Sequence, residues 1–305
     1  MRGIPSLFLL ACLAALGPAQ AAPIKVVASF SILGDFVREV GGDRVDLTVI
    51  AGPGQDAHVY EPKPADVAAV SAADLVVVNG LHFEGFLGRL IKAGAGKAPV
   101  VALSDGASLL STQDDDHEHG DHDHGQYDPH AWQSVPNAQT YVRNLAQALC
   151  KVDAPGCDGY RARAQAYHER LLALDADLRS SLGSLPADRR TLLTAHAAFR
   201  YFGHAYGLSF LSPTGLSTDA EATAADMRRL VGQLREHQVV GIFLEQSANP
   251  RLVQRLASET GMKVGGTLYA DALSAPGGVA DTYLDLMSHN GRTIVTAVQA
   301  HLAQD

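Results

Sequence analysis

The sequence predicts an α/β protein with two lobes, each containing a mainly parallel sheet flanked by helices, joined by one long spine helix. In both halves, short apolar runs alternate with stretches of helical periodicity, which is typical of β-α-β units and parallel sheets. Between the halves, residues 158–185 contain no proline and carry leucines at helical spacing,. We therefore expect an N-terminal lobe at 22–157, a linking helix at 158–185 and a C-terminal lobe at 186–305.

The N-terminal lobe is predicted from strands and helices in alternation. Its strands are short, apolar and rich in β-branched residues, which favours buried strands; they are expected at 24–30, 45–50, 75–79 and 100–103. Its helices have apolar residues at helical spacing and are expected at 32–40, 64–72, 83–93 and 137–149. Pro64 suits the first position of its helix, where the N–H group it lacks is not needed.

The linking helix carries a leucine stripe and leads into a second alternating region. The stripe consists of Leu171, Leu174, Leu178 and Leu182, and Pro186 ends the helix. At 1.5 Å per residue, a helix of about 25 residues spans roughly 38 Å, long enough to run along both lobes. In the C-terminal lobe, strands are expected at 191–195, 208–211, 239–245 and 263–267, and helices at 197–206, 223–237, 250–260 and 280–302.

The first 21 residues have the features of a secretory signal peptide. Arg2 supplies a short positive region, residues 7–16 are apolar, and Ala19-Gln-Ala21 is a small-residue cleavage site,. This predicts export to the periplasm. An alternative is a lipoprotein acylated at Cys12, although the residues before this cysteine match a lipobox poorly.

Composition and charge exclude some classes of partner. The chain is 47% hydrophobic, which is enough for two cores, and its formal net charge is -9. Because no cluster of Lys and Arg stands out, the sequence argues against nucleic acid or an anionic membrane surface as partner.

Cys150 and Cys157 are the only cysteines after the signal peptide. They lie seven residues apart around a Pro-Gly turn, and an exported chain meets an oxidising compartment. We expect them to form a small local disulfide. Metal binding is the less favoured alternative, because the spacing is not that of a C-x-x-C motif.

Three histidines and one aspartate each follow a predicted strand: His58, His130, His196 and Asp271. In open α/β sheets, ligands bind beyond the carboxyl ends of the strands. Three neutral imidazoles and one carboxylate make a closed shell for a borderline divalent metal such as Zn(II). Two of these residues come from each half, so the sequence predicts a metal site between the lobes.

A second metal-related feature is the His-rich loop at 112–126. It contains His117, His119, His122 and His124 among aspartates, a glutamate and glycines. With so few apolar residues the segment cannot bury enough surface to order itself. Flexible His and Asp tracts bind zinc weakly, so we expect an auxiliary, metal-gathering loop. A solvated acidic linker without function is the alternative.

Four segments carry a resemblance to a known family. They are Gly54-Gln-Asp-Ala-His-Val-Tyr-Glu-Pro-Lys-Pro-Ala-Asp66, Asp128-Pro-His-Ala-Trp132, Thr194-Ala-His-Ala-Ala-Phe-Arg-Tyr-Phe202 and Gly265-Gly-Thr-Leu-Tyr-Ala-Asp-Ala-Leu-Ser274. In order and spacing they resemble the ligand motifs of the zinc, manganese and iron receptors of bacterial ABC importers. The resemblance covers nearly all of the chain after the signal peptide.

The resemblance implies a fold of two α/β lobes on one long helix, with His58, His130, His196 and Asp271 as the metal ligands. Manganese receptors of this family tend to carry Glu at the third position, whereas zinc receptors tend to carry His and an acidic His-rich loop. Zn(II) is therefore the expected cargo, with manganese as the alternative. The implied partners are the membrane permease of an ABC zinc importer and a periplasmic zinc chaperone, and the receptor is expected to be a monomer.

Some polar neighbours are candidates for supporting roles. Glu61, Asp128 and Glu245 carry carboxylates that can accept the outer N–H of a ligand histidine,. His204 lies eight residues after His196 on the same predicted helix and is the strongest candidate for a fifth ligand.

Two other classes of function compete with a receptor. A secreted zinc hydrolase usually keeps three protein ligands and an open position for water, whereas four ligands are predicted here. The chain also has no H-E-x-x-H motif, no dinucleotide fingerprint, no P-loop and no nucleophile elbow,. A metal buffer that works mainly through the His-rich loop is the third interpretation. The sequence favours a receptor without enzymatic activity.

Overall fold

The computed structural model describes residues 22–112, 125–218 and 224–304. The predicted signal peptide and the four loop histidines lie outside these ranges. The described residues form two four-stranded sheets in which every strand pair is parallel. Within these ranges, no helix has the length and the apolar character needed to cross a membrane.

The first sheet has the strand order β2-β1-β3-β4. Its strands are β1 (Ile24–Phe30), β2 (Val45–Ala51), β3 (Leu75–Val78) and β4 (Val100–Ala102), and its helices are α1 (Ser31–Gly41), α2 (Pro64–Ala72), α3 (Leu87–Gly94) and α4 (Val135–Val152). All four residues of β3 are aliphatic and buried. This is expected of a central parallel strand that helices cover on both faces.

The long helix α5 (Cys157–Gly183) follows α4 and confirms the predicted spine. Its predicted leucine stripe is buried, and the helix packs against α1 and α4 of the first half. It also packs against two helices of the second half, at 200–206 and 283–302. At the second of these, Gly291 approaches Leu178 so closely that an added Cβ would lie 2.5 Å from Leu178 Cδ2.

The second sheet repeats the topology of the first, with the order β6-β5-β7-β8. Its strands are β5 (Thr191–Leu193), β6 (Ser209–Leu211), β7 (Gly241–Glu245) and β8 (Val264–Leu268), and its helices are α6 (Arg200–Tyr206), α7 (Ala224–Glu236), α8 (Pro250–Thr260) and α9 (Tyr283–Leu302). The two parallel sheets and the long helix confirm the predicted fold class.

One hydrophobic cluster runs through both halves of the molecule. It joins buried side chains of α1 and β1 to the leucines of α5 and to buried residues of α6, β7 and α9. Across this boundary the rings of Phe36 and Tyr283 lie 4.9 Å apart, centre to centre. Because the core is continuous, the two halves bury apolar surface against each other.

The predicted disulfide joins Cys150, near the end of α4, to Cys157, at the start of α5. Beside it, Arg44 Nε and Nη2 each donate a hydrogen bond of 2.8 Å to the buried carboxylate of Asp153. Tyr160 OH donates to the same carboxylate. The turn between the two helices is therefore fixed covalently and by an ion pair.

The helix predicted at 83–93 starts four residues late, at Leu87. Leu81 and His82 both have positive φ, 57° and 62°, so the chain turns just before the predicted start, and residues 83–86 remain outside the helix. The Glu84 carboxylate accepts hydrogen bonds from the backbone N–H of Asn79 and Gly80, at 2.6 and 3.3 Å. Contacts within the folded protein thus override the helical periodicity here.

Asp35 of α1 is a buried carboxyl group between α1 and α9. It is 3% exposed, and its Oδ2 accepts a 2.9 Å hydrogen bond from the backbone N–H of Tyr283. Arg38 Nη2 lies 3.7 Å from Oδ1. Burial outweighs these contacts and raises the pKa of Asp35 from 3.8 to about 6,.

The raised pKa predicts that Asp35 weakens the fold as pH rises. Below pH 3.8 the carboxyl is protonated in both the folded and unfolded states; between 3.8 and about 6 only the folded state keeps the proton. The stabilisation of the folded state by this proton is lost as pH passes about 6. At neutral pH the buried carboxylate therefore lowers the free energy of unfolding by about 3 kcal/mol. We expect Asp35→Asn to raise the free energy of unfolding by about 1–3 kcal/mol at pH 7.5.

Urea unfolding of Asp35→Asn and parent at pH 4.5 and 7.5 tests this prediction. The gain should shrink at the lower pH. Asp46→Asn, at an exposed position of β2, is the matched control and should change little. A variant that is less stable than the parent at pH 7.5 would contradict the prediction.

Candidate metal centre

The structure brings together the four residues predicted as metal ligands. One ligand atom from each of His58, His130, His196 and Asp271 lies within 4.8 Å of all the others. They follow β2, β4, β5 and β8, so they meet because the carboxyl ends of parallel strands face the same side. We refer to these four residues as the cluster.

The spacing within the cluster fits a four-coordinate ion. The Nε2 atoms of His58 and His130 are 3.3 Å apart. The Asp271 carboxylate lies 3.2 Å from His196 Nε2, 3.6 Å from His130 Nε2 and 3.8 Å from His58 Nε2. Ligands at about 2.0–2.1 Å from a tetrahedral ion stand about 3.3 Å apart, close to these separations.

The cluster atoms are buried and have unused bonding capacity. The side chains of His130 and Asp271 are fully buried, His196 is 1% exposed and His58 is 5% exposed. Among the described residues, His196 Nε2 and both oxygens of Asp271 lack a hydrogen-bond partner. Leaving such atoms unpaired in the interior is costly, and a cation bound among them removes that cost.

Asp128 orients the ring of His130. Its Oδ1 accepts a hydrogen bond of 2.9 Å from the backbone N–H of His130 and lies 2.8 Å from Nδ1 of the ring. Because a carboxylate only accepts, Nδ1 carries the proton and Nε2 presents its lone pair to the cluster. The predicted supporting role of Asp128 agrees with this contact.

Glu245, at the end of β7, orients the ring of His196 in the way that Asp128 orients His130. Its Oε1 accepts hydrogen bonds from the backbone N–H of Ala195 and His196, at 2.6 and 2.9 Å. Its Oε2 is bonded to Nδ1 of the His196 ring. Burial lowers the pKa of His196, but the carboxylates of Glu245 and Asp271 outweigh burial and raise this pKa well above its usual value.

The neighbours of Asp271 lower its pKa, whereas the neighbours of His196 raise the pKa of that histidine. Burial raises the pKa of the carboxyl, but His196, His130 and His58 outweigh it and hold the pKa below its usual range. The fully buried Asp271 is thus kept as an anion at neutral pH. A buried anion among imidazole nitrogens favours a divalent cation.

His58 is held by a residue that the sequence analysis missed. Asp56 Oδ1 accepts a 2.8 Å hydrogen bond from the backbone N–H of His58, the same contact that Asp128 makes with His130. Asp56-Ala-His58 and Asp128-Pro-His130 share the pattern D-x-H, so this repeat was the available signal. The Phe83 ring packs on His58 at 4.6 Å between ring centres and limits its movement.

The segment around Asp271 belongs to the second half in sequence but is hydrogen-bonded to the first. The carbonyl of Ala270 accepts hydrogen bonds from Trp132 Nε1 at 3.0 Å and Gln133 Nε2 at 2.7 Å. Leu273 N donates to Ser31 Oγ, and its carbonyl accepts from the N–H of Gly54. His58, His130 and Asp271 are therefore held by the first half, whereas His196 follows a strand of the second sheet.

Two weaker sequence candidates remain outside the cluster. Glu61 is exposed, unlike Asp128 and Glu245. His204 is exposed on α6 and is not part of the cluster. The prediction for His204 assumed a helix from residue 197, but α6 begins at Arg200.

The arrangement suits tight, reversible capture of an ion. Four protein donors can complete a tetrahedral shell, which leaves no position for a reacting water molecule. The described residues thus form an α/β protein of two parallel-sheet halves with a four-donor metal site at the ends of their strands. The chain belongs to the zinc-uptake complex component A periplasmic family (ZnuA), whose profile matches residues 26–297.

Individual relatives are named for different metals. The manganese-binding lipoprotein MntA of Halalkalibacterium halodurans is 34% identical over 275 residues, covering 90% of this chain and 88% of the relative. The iron-binding protein YfeA of Yersinia pestis is 31% identical over 290 residues, covering 95% and 91%. The structure of the periplasmic zinc-binding protein TroA of Treponema pallidum superposes with a TM-score of 0.82 at 33% identity, covering 91% and 99%.

Family membership establishes the general role of the chain. It is a metal-binding receptor of an ABC importer, which works with a membrane permease and an ATPase. It is not an enzyme, so the interpretation as a secreted zinc hydrolase is wrong. The cargo is a divalent metal, for which the names of the relatives include manganese, iron and zinc.

Proposed function

We propose that this protein captures Zn(II) in the periplasm and delivers it to the permease of an ABC importer for high-affinity zinc uptake. The ligands are His58, His130, His196 and Asp271. The observation that carries the proposal is their donor set, in which three imidazole nitrogens and one carboxylate lie within 4.8 Å. Imidazole suits zinc, whereas manganese prefers oxygen ligands.

Manganese is the second candidate cargo. It is supported by the manganese-binding relative, which is 34% identical to this chain. Against it stands the third imidazole, His196, whose outer nitrogen is bonded to Glu245 and whose Nε2 faces the cluster. A hard ion such as Mn(II) gains less from that nitrogen than zinc does.

The remaining predictions complete the proposed role. We propose that residues 1–21 are a signal peptide removed on export, and that 22–157 and 186–305 are the lobes on either side of the linking helix 158–185. The His-rich loop at 112–126 gathers zinc weakly through His117, His119, His122 and His124. The receptor acts as a monomer, receives zinc from a periplasmic chaperone and passes it to the permease.

Metal titration of the mature protein and of a variant lacking residues 114–124 tests the proposal. We expect one tight zinc site in both proteins and additional weak binding only in the protein with the loop, because none of the four proposed ligands belongs to the deleted segment. Elemental analysis of each complex gives the stoichiometry. Loss of the tight site on loop deletion would favour the buffer interpretation instead.

Affinity for zinc alone does not identify the cargo. Most sites with nitrogen and oxygen ligands bind Zn(II) more tightly than Mn(II), so the informative measurement is manganese binding. We expect Mn(II) to bind at least about 1,000-fold more weakly than Zn(II), since only one of four ligands is a carboxylate. Growth under chelation should be restored by zinc through this receptor. Rescue by manganese alone would contradict the proposed cargo.

A further inference from the structure

The base of the segment 113–124 lies directly before the loop that carries His130. Ser111 pairs with Tyr127 in an antiparallel bridge, and Thr112 N donates a 3.1 Å hydrogen bond to the carbonyl of Gln126. Asp128 N donates to the carbonyl of Leu110 at 3.0 Å. We call residues 110–112 and 126–128 the stem. Its last residue is Asp128, which orients His130.

Tyr201 of α6 connects the two strands of the stem. Its hydroxyl donates a 2.8 Å hydrogen bond to the carbonyl of Asp128 and accepts a 3.0 Å hydrogen bond from the N–H of Leu110. The residue is 3% exposed, and burial raises the pKa of its hydroxyl, which therefore keeps its proton. Tyr201 thus fixes the backbone of Asp128 from the other half of the molecule.

Arg200, the neighbouring residue on α6, contacts the same two places. Its Nη2 donates a 3.1 Å hydrogen bond to the carbonyl of Ser111, and its Nη1 lies 3.5 Å from Asp128 Oδ2. The Asp128 carboxylate is fully buried and the Arg200 side chain is 17% exposed. Oδ1 of Asp128 holds His130, whereas Oδ2 makes no hydrogen bond among the described residues. The guanidinium therefore acts on Oδ2 as a nearby positive charge, on the side of the carboxylate away from His130,.

We propose that Arg200 and Tyr201 are positioning residues that hold Asp128, and through it His130, in the geometry needed to retain the metal. Both residues lie on α6, which begins four residues after His196. They therefore also connect the part of the chain that carries His196 to the part that carries His130. This inference rests on the proposed function, which makes His130 and His196 metal ligands. Arg200 acts on the carboxylate of Asp128, whereas Tyr201 acts on its backbone carbonyl.

The expected effect lies mainly on metal release. Losing a direct partner of a ligand histidine typically costs 10–100-fold in metal affinity. Arg200 and Tyr201 act one contact further out, so we expect about five- to tenfold faster zinc dissociation for Arg200→Met and for Tyr201→Phe. Arg200→Lys keeps the charge and should stay within about twofold of the parent.

Two matched controls separate positioning from general destabilisation. Arg44→Met breaks an ion pair to a buried aspartate remote from the cluster. Tyr206→Phe removes a buried hydroxyl on the same helix, which donates to Asp175 at 3.0 Å. Both variants are expected to melt at lower temperature yet release zinc at the parental rate, measured by transfer to a chromogenic chelator.

A double-mutant cycle with Asp128→Asn tests the route of the effect. If Arg200 acts through the charge of Asp128, adding Arg200→Met to Asp128→Asn should change zinc dissociation by less than about twofold. Tyr201→Phe should keep its effect in the same background, because the backbone carbonyl remains. Cobalt(II) absorption bands, which report ligand geometry, should shift in Arg200→Met and not in Arg44→Met.

The outcomes distinguish this inference from the proposed function. If the parent protein holds no metal tightly, the proposed function fails. If the parent holds zinc but Arg200→Met and Tyr201→Phe release it at the parental rate, the positioning role is overturned and the proposed function stands. Fully additive effects of Arg200→Met and Asp128→Asn would also overturn it.

Discussion

Replacing His196 with alanine is expected to abolish tight zinc binding. Apparent binding free energies of four-ligand zinc sites are about 10–16 kcal/mol, or roughly 2.5–4 kcal/mol per ligand, so one lost ligand corresponds to about 60- to 700-fold in affinity. The buried Glu245 carboxylate would also lose its bond to the His196 ring. Competition titration with a zinc chelator measures the effect.

The same loss is expected for His58→Ala and His130→Ala. Asp271→Ala should cost less, because water can replace a carboxylate oxygen at the metal. His289→Ala is the control, since His289 Nε2 is bonded to the carbonyl of Thr267 and lies outside the cluster. Zinc should raise the melting temperature of this control as it does for the parent. Any of the three histidine variants that binds zinc like the parent would remove that residue from the ligand set.

Exchanging His196 for glutamate is expected to change the balance between zinc and manganese. A glutamate at this position replaces a nitrogen donor with an oxygen donor, which favours manganese relative to zinc. It also places a carboxylate where the His196 ring now meets the buried Glu245, and two buried like charges repel. The single variant should therefore bind both metals weakly, with zinc weakened by about 100-fold or more.

Adding Glu245→Gln to His196→Glu should restore manganese binding, because the amide can donate a hydrogen bond to the new carboxylate. We expect about a tenfold gain in manganese affinity over His196→Glu alone. Glu245→Gln alone is the control and should favour zinc, since all three imidazoles remain. Titrations followed by manganese paramagnetic resonance provide the comparison. No gain in the double variant would mean that charge repulsion at Glu245 is not what limits manganese binding.

Most of the fold could be predicted from the sequence because its strands are short apolar runs between helical stretches. The parallel sheets follow from that alternation. The misjudged boundaries have identifiable causes. The helix predicted from residue 197 starts at Arg200, because Ala198 N donates to the carbonyl of His196 in a tight turn, and Ala197 N is bonded to the carbonyl of Gly215. Periodicity along the chain carries no information about such distant partners.

The members of the cluster could be predicted because each follows a strand, and the carboxyl ends of parallel strands lie at the same edge of a sheet. Their supports were harder to predict. Asp56 had a local signal in the repeated D-x-H pattern. Arg200 and Tyr201 had none, because they reach Asp128 across more than 70 residues of chain.

The docking of the Asp271 segment on the first half has a consequence for exchanging parts between relatives. Ala270 and Leu273 are bonded to Trp132, Gln133 and Ser31, so the second half carries part of the surface that completes the first. A chimera joined within α5 would pair that segment with a foreign surface and misplace Asp271. The two halves therefore have to be inherited together, as one unit, for the site to form.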